Sequence, residues 1–236
     1  MSGSPIDSIA VIGDVADVNA WSGIPWHFWR ATQQLGWSVA PWRLDLARFT
    51  HMRRWWNLCQ LARGRGHGGY QYSTAFLDAA EAQVPGDLFG GRVLTFNQHF
   101  PRATTIRRHG GRLWHYIDAP LAALVQGRGL DLRLPRWIRQ QALALERENF
   151  AASERIVCMA SWAAEAVVTL CDVPRDKVSV VLPGANLELP AGFVPRGRAG
   201  QPGIDRPAVL GFVGKDWPRK GLAFLLQVAE ALERLG

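Results

Sequence analysis

The residues best suited to binding an anion lie near the carboxyl terminus, in the sequence GFVGKDWPRKG (211–221). Lys215 follows a short apolar run, and Lys220 and Gly221 precede a helical pattern. When an apolar strand leads into a helix, the helix N-terminus offers N–H groups and a partial positive charge to an anion. Two lysines add compact point charges, so this stretch predicts a diphosphate site. The alternative is that both lysines only cover a polar edge.

Lysine is rare in this chain. Only three of the 27 basic residues are lysines (Lys177, Lys215 and Lys220), and two of those three fall within one short loop. The net charge of +7 and the pI of about 10.0 predict attraction to nucleic acid, anionic lipid or phosphorylated small molecules. The chain contains no Walker A sequence, and no GxGxxG sequence directly follows a predicted strand, which argues against a dinucleotide-dependent oxidoreductase.

Composition is typical of a globular protein with a core, since 48% of the 236 residues are hydrophobic and 20% are charged. No apolar run approaches the roughly 20 residues that span a bilayer, and the first residues lack the pattern of a secretory signal. The three cysteines are odd in number and show no metal-ligand spacing. We therefore expect a cytoplasmic protein without a metal or a bound cofactor.

Short apolar runs alternate with helical patterns, which predicts βα units and a parallel sheet. The predicted strands are 9–15, 37–42, 92–96, 112–117, 155–159 and 177–183. The predicted helices are 22–36, 46–62, 73–83 and 135–152, with one more beginning at Ser161. Ser22 and Ser161 are expected to cap their helices.

The domain organisation follows from where this alternation stops. We predict a Rossmann-like domain over 1–189, a linker rich in Gly, Pro and Arg over 190–207, and the first strand and helix of a second Rossmann-like domain over 208–236. A lone βα unit cannot bury both faces of its strand. We therefore expect a piece of a longer chain; the alternative is that the unit docks on the first domain.

Three segments, ASERIVCMASWAAEAVV, KVSVVLPGANLEL and LGFVGKDWPRKGLAFLLQVAEAL, resemble the interdomain region of the family 4 glycosyltransferases. Those enzymes have the GT-B fold of two facing Rossmann-like domains. The resemblance covers residue 148 to the carboxyl terminus, and the first half of the chain matches in outline only.

The resemblance implies a role for the lysine loop. In that family a G-R-x-x-x-x-K-G sequence opens the donor domain, and its Arg and Lys hold the diphosphate of a nucleotide sugar. Here the loop runs from Gly214 to Gly221, with Lys215 in place of the Arg and Lys220 as the Lys. The implied reaction is metal-independent sugar transfer with retention. The family's Glu pair falls beyond residue 236, so we expect the isolated chain to be inactive or nearly so.

In the first domain, the resemblance places the family's Gly-Gly turn on Ser22 and Gly23, whose N–H groups would meet the acceptor or a donor phosphate. The alternative is ordinary turn chemistry. The family's His-Asp pair falls where Asp118 matches the Asp but Ile117 replaces the His. His115 lies two residues earlier, on the same strand face.

His99, which follows another predicted strand, is a further catalytic candidate. For both histidines the alternative is a hydrogen-bonded structural residue.

Residues 42–65 interleave arginine with Trp42, Trp55 and Trp56. A basic amphipathic helix with tryptophan is typical of proteins that lie on an anionic membrane surface. The alternative is a core helix that buries Phe49, Met52, Trp56 and Cys59 and solvates its charged face. No nucleic-acid-binding motif accompanies the charge, so nucleic acid is not expected as a partner.

The sequence thus favours a glycosyltransferase whose partners are a nucleotide sugar and a glycan, a lipid-linked or a small-molecule acceptor. It would be cytoplasmic, or peripheral on the inner face of the membrane. Two alternatives stay open: a non-catalytic module that binds anions or a membrane surface, and a nucleotide-sugar epimerase with the GT-B fold.

Overall fold

The computed structural model describes residues 4–126, 134–184, 186, 192–193, 210–213, 217 and 220–235. The chain divides into two compact units, Met1–Asn186 and Leu187–Gly236. The first unit contains the whole β-sheet, and the second contributes one described helix.

The first unit is built on a six-stranded sheet in which every pairing is parallel. The strand order is β2-β1-β3-β4-β5-β6. The strands are β1 (Ser8–Ala10), β2 (Ala40–Pro41), β3 (Arg92–Thr95), β4 (Arg112–Ile117), β5 (Arg155–Cys158) and β6 (Val178–Val180).

Helices connect these strands, as a parallel sheet requires. They are α1 (Ile24–Gln34), α2 (Phe49–Ala62), α3 (Thr74–Glu81), α4 (Ala103–Arg108), α5 (Leu121–Gln126), α6 (Arg136–Ala152) and α7 (Ser161–Cys171); α8 (Leu222–Leu235) belongs to the second unit. Local chemistry fixes several of the ends. For example, the Ser73 hydroxyl accepts the Phe76 N–H and caps α3.

The strand order decides which face of the sheet each helix covers. The chain moves one way across the sheet from β1 to β2, and the other way from β2 through β3 to β6. Because βαβ crossovers are right-handed, this reversal separates α1 from the later helices. On one face Ile24 and Phe28 of α1 pack with Ile9 and Leu94. The opposite face is covered by the helices from α2 to α7.

The predicted α/β class with a Rossmann-like parallel sheet is confirmed, and so are most of the elements. Strand β4 has the predicted bounds, whereas the other five strands are shorter than predicted; β1, for example, ends at Ala10. The sequence analysis did not predict α4 and α5, which have only six residues each. In the second unit α8 is confirmed, whereas the described residues 210–213 form no strand.

Candidate functional site

The carboxyl ends of β1 and β3 mark the point where the direction of the sheet connections reverses. In open α/β sheets, ligands bind in the crevice beside such a point. The chain leaving β1 runs through Gly13 to the start of α1, and the chain leaving β3 runs through Asn97 and Gln98. This edge of the sheet is the candidate functional site of the first unit.

Hydrogen bonds join the two strand ends at this edge. The Asn97 side-chain oxygen accepts the Ile12 N–H at 2.7 Å, and the Asn97 backbone N–H donates to the Thr95 hydroxyl at 3.1 Å. The Ile12 carbonyl accepts the indole N–H of Trp21 at 2.9 Å. Both the N–H and the carbonyl of Ile12 are therefore hydrogen-bonded to side chains, and the bond to Asn97 fixes the loop between β1 and α1 against the end of β3.

That loop ends in a left-handed turn directly before α1. Trp21, Ser22 and Gly23 have φ values of +50°, +59° and +77°. The left-handed region costs a non-glycine residue roughly 1–2 kcal/mol, and such strain occurs most often at functional sites. A Cβ atom at Gly23 would lie 3.0 Å from the Val18 carbonyl oxygen, so any other residue there would crowd this carbonyl in addition to straining φ.

The expected capping by serine is wrong at both helices. The residue that caps α1 is Gly23, and no side chain bonds to this helix end, because Ser22 in its left-handed conformation is exposed and lies outside it. At α7 the cap position is Ala160, and Ser161 is the first helical residue. The start of α1 thus has no capping side chain. The Ile24 N–H donates to the Trp21 carbonyl and Pro25 has no N–H, so neither of the first two helical residues offers an N–H group to a ligand.

Asp118 follows β4 at the same edge of the sheet. It is exposed, and its carboxylate accepts the Ala119 N–H at 2.8 Å. The Gln98 amide donates to the Ala119 carbonyl at 2.5 Å, which ties the loop after β4 to the loop after β3. The structure therefore brings the Asp118 carboxylate and the Ser22–Gly23 turn to one edge of the sheet.

His115, by contrast, lies inside the protein on the face opposite α1. It has no exposed surface, and its ring meets Phe150 edge to face at 5.1 Å. The Ser153 hydroxyl donates its hydrogen to the Asn149 carbonyl. The same hydroxyl oxygen lies 3.0 Å from the His115 Nδ1 and therefore accepts the N–H of the ring. Burial lowers the pKa of His115 to about 3, so the ring is neutral. These contacts favour the structural alternative for His115.

His99 is also enclosed. Its Nε2 lies 3.0 Å from the Ala142 carbonyl oxygen and donates to it, and the Tyr72 ring packs against it at 5.0 Å. Burial lowers its pKa to about 4. The neutral His99 ring thus anchors α6 to the loop after β3. It does not lie with Asp118 on the exposed edge of the sheet, which favours the structural alternative for His99 as well.

A buried carboxyl group that the sequence analysis did not consider lies beneath this edge. Glu146 of α6 has no exposed surface, and it accepts the N–H groups of Leu121 at 2.5 Å and Ala122 at 3.0 Å, at the start of α5. The Cys171 thiol lies 3.8 Å away. Burial raises the pKa of Glu146 to about 7, against the opposing effect of its hydrogen bonds.

An apolar cavity of about 540 Å³ lies on the face of the sheet that α1 covers. Its walls include Phe28 of α1 and the strand residues Leu94, Trp114 and Tyr116. Only the connection from β1 to β2 places a helix on this face among the described residues of the first unit. The cavity therefore follows from the order of the strands.

In the second unit, Lys220 is exposed and Gly221 has a φ of +82° immediately before α8. The Leu222 N–H donates to the Trp217 carbonyl at 3.1 Å, so this N–H is not free to bind an anion. The other two residues of the predicted diphosphate loop, Gly214 and Lys215, lie outside the described residues.

Within the described residues, no group of three His, Cys, Asp or Glu side chains is placed to hold a metal ion. No helix of the described chain is both long and apolar enough to cross a membrane.

Compared with models of protein families, with curated proteins and with solved structures, the chain matches none. The fold defines the protein as an α/β protein with a Rossmann-like sheet. Its candidate site is the crevice between β1 and β3, where the direction of the connections reverses.

The two residues that the sequence analysis missed each left a signal. Asn97 is a polar residue directly after an apolar strand, which is where site residues of α/β proteins lie. Glu146 stands in a row of buried positions at four-residue spacing, with Ile138, Ala142 and Phe150. A carboxylate in such a row predicts a buried group with dedicated hydrogen-bond partners.

Proposed function

We propose that this chain takes part in glycosyl transfer from a nucleotide diphosphate sugar, with the first unit on the acceptor side of the reaction. The bond from the sugar C1 to the diphosphate oxygen breaks. A bond from an acceptor hydroxyl oxygen to C1 forms on the same face, and the hydroxyl proton leaves with the diphosphate. The sequence segments that resemble family 4 glycosyltransferases motivate this choice of reaction.

One observation carries the proposal: the left-handed turn of Trp21, Ser22 and Gly23 at the start of α1, beside the reversal point of the sheet. Because the Ile24 N–H donates to the Trp21 carbonyl and Pro25 has no N–H, the start of α1 would stabilise an anion mainly through the helix dipole. Charge develops on the departing diphosphate during transfer, and stabilising such charge is commonly the largest catalytic contribution. The turn suits a phosphate or an acceptor hydroxyl.

Two other groups have roles in the proposal. The exposed Asp118 carboxylate accepts a hydrogen bond from an acceptor hydroxyl and orients that hydroxyl. Lys220, together with Lys215, binds the donor diphosphate. Because His99 and His115 are enclosed and neutral, they position α6 and β4 and do not contact the substrate.

Isothermal titration calorimetry with UDP-, GDP- and ADP-sugars, and with inorganic pyrophosphate, tests the proposal on the chain as it is. We expect at least one nucleotide sugar to bind. The Ser22→Asp variant should weaken binding about tenfold, because a carboxylate at the turn repels the phosphate. Lys220→Ala should weaken it at least about tenfold, since a charge-assisted bond contributes roughly 1.5–3 kcal/mol.

Matched controls separate these effects from general damage. Ser22→Ala keeps the turn without adding charge, and Arg108→Ala removes an exposed cation from α4; both should bind like the parent chain. Absence of binding by every nucleotide sugar, or equal binding by Ser22→Asp and Ser22→Ala, would show that the turn is not a phosphate site.

A further inference from the structure

The outer face of α2 is unusual because large apolar side chains point away from the core. Met52, Trp55, Leu58 and Leu61 are 42%, 70%, 59% and 51% exposed. Each lies three residues, or about 60° around the helix axis, from the next, so the four form an inclined row that winds around about half of the helix. The expectation that Met52 is buried with Phe49 is therefore wrong, and the exposed residues form a continuous apolar ridge.

The inner side of the same helix is fully occupied, so the ridge is not a poorly packed core face. Phe49 packs on Phe76 with ring centroids 4.8 Å apart. Trp56 packs on Tyr70 and on Trp137 of α6, at 5.8 Å in each case. The core holds α2 in place and leaves the ridge outward.

Positive charge surrounds the ridge. Residues 42–65 contain six arginines and one aspartate, and so hold five of the seven net positive charges of the chain. The one acidic residue, Asp45, lies 3.3 Å from the Arg48 guanidinium. Arg53, Arg54 and Arg63 are exposed beside the ridge.

The start of α6 extends this charged surface. The Trp137 indole N–H donates to the Arg65 carbonyl at 3.1 Å, and the Arg65 guanidinium lies over the Trp137 ring at 5.7 Å. Arg136, the first residue of α6, is exposed. These contacts hold the turn after α2 so that its arginines continue the charge of the helix.

We propose that this ridge and its arginines, hereafter the α2 outer face, form a docking surface for an anionic lipid bilayer. A helix that lies in the membrane interface places Trp and Leu among the acyl chains and Arg at the lipid phosphates. Nucleic acid would pair with the arginines but leave the apolar ridge unburied. A second copy would bring two like-charged surfaces together. The docking does not depend on the proposed glycosyl transfer.

Vesicle co-sedimentation tests the docking with the intact chain. The chain should bind vesicles of phosphatidylcholine mixed with phosphatidylglycerol, should not bind phosphatidylcholine alone, and should be released by high salt because the attraction is screened. Neutralising an arginine should lower the partition coefficient about fivefold, so Arg54→Gln and Arg63→Gln are each expected to do so. The double variant Trp55→Ser, Leu58→Ser should lower it at least about tenfold.

Two controls match these changes elsewhere on the surface. Leu35→Ser removes an apolar side chain that is 64% exposed at the end of α1, and Arg108→Gln removes an exposed cation of α4. Both should bind vesicles like the parent chain. Far-ultraviolet circular dichroism and thermal unfolding check that the ridge variants fold, as expected for side chains outside the core.

Several outcomes would overturn the docking. One is no binding to anionic vesicles, and another is equal binding by the parent chain and the ridge variants. A third is tighter binding to duplex DNA or RNA that depends on Arg54 but not on Trp55. A fourth is a dimer that Trp55→Ser dissociates in analytical ultracentrifugation, without vesicle binding. Nucleotide-sugar binding enters none of these readouts, so this inference and the proposed function fail separately.

Discussion

Replacing the buried Glu146 by glutamine should change how the stability of the protein depends on pH. Glutamine keeps the size of the side chain and one carbonyl oxygen that can accept the N–H of Leu121 or Ala122. It removes the titration of a carboxyl group that packs against the Cys171 thiol. The exposed Arg147, next in the chain, partly favours the charged carboxylate.

The size of the effect follows from the pKa. Burial raises the pKa of Glu146 from 4.5 to about 7, and a tenfold change in a proton affinity corresponds to about 1.4 kcal/mol. Ionising Glu146 therefore costs about 3 kcal/mol more in the folded protein than in the unfolded chain. A raised pKa contributes stability that is fully present below pH 4.5 and is lost as the pH rises through 7.

Urea unfolding at several pH values between 4.5 and 8 measures this effect. The free energy of unfolding of the parent chain, minus that of Glu146→Gln, should fall by about 3 kcal/mol across this range. Other titrating groups cancel in the difference. Glu148→Gln, which neutralises an exposed carboxylate of the same helix, is the control and should change stability by less than about 0.5 kcal/mol throughout. A pH-independent difference for Glu146→Gln would refute the reasoning.

Three further substitutions probe the packing. Gly111→Ala should destabilise the fold by more than about 3 kcal/mol, because its Cβ would lie 2.0 Å from the Phe89 carbonyl oxygen; thermal unfolding measures this. Arg102→Ala should cost about 3 kcal/mol in chemical unfolding, since it strands the buried Glu81 carboxylate, whose Oε2 lies 2.6 Å from the guanidinium. His115→Asn should reduce the loss of stability on acidification below pH 6.5, because burial depresses the pKa of the neutral ring to about 3 and protonation favours unfolding.

Each of these has a matched comparison. Gly86→Ala, where an added Cβ meets nothing within 4 Å, should be tolerated. Arg108→Ala removes an exposed arginine and should have little effect. Equal stability of the Gly111→Ala and Gly86→Ala variants, or of the two arginine variants, would contradict the packing argument. If the parent chain and His115→Asn lose the same stability on acidification below pH 6.5, the His115 ring would already be protonated in the folded protein.

The sequence predicts the class of fold because its signals are local. Strands β3 to β6 and helices α3 and α6 were predicted within a few residues, since apolar periodicity, Ser73 and the proline before α6 act on their own neighbourhood. The six-residue α4 and α5 carry too few turns for periodicity to show. For α5 the stabilising partner is Glu146, which lies 24 residues along the chain from Ala122.

For the candidate site, the sequence supplied the residue types and the fold decided which of them are accessible. Ser22, Gly23 and Asp118 were identified from the family resemblance, and they lie at one edge of the sheet because the carboxyl ends of parallel strands meet there. The enclosure of His99 and His115 could not be predicted, because it depends on contacts with Ala142 and Phe150 of α6, far along the chain.

The sequence by itself thus determined the parallel α/β architecture and the excess of arginine, because propensity and charge are properties of single residues and short segments. The tertiary structure alone decided which face of α2 is covered, so that Trp56 is packed and Trp55 is exposed although the two are adjacent. It also decided that Glu146 is buried against α5. Burial and proton affinity arise from distant segments meeting in space, and no local pattern specifies that meeting.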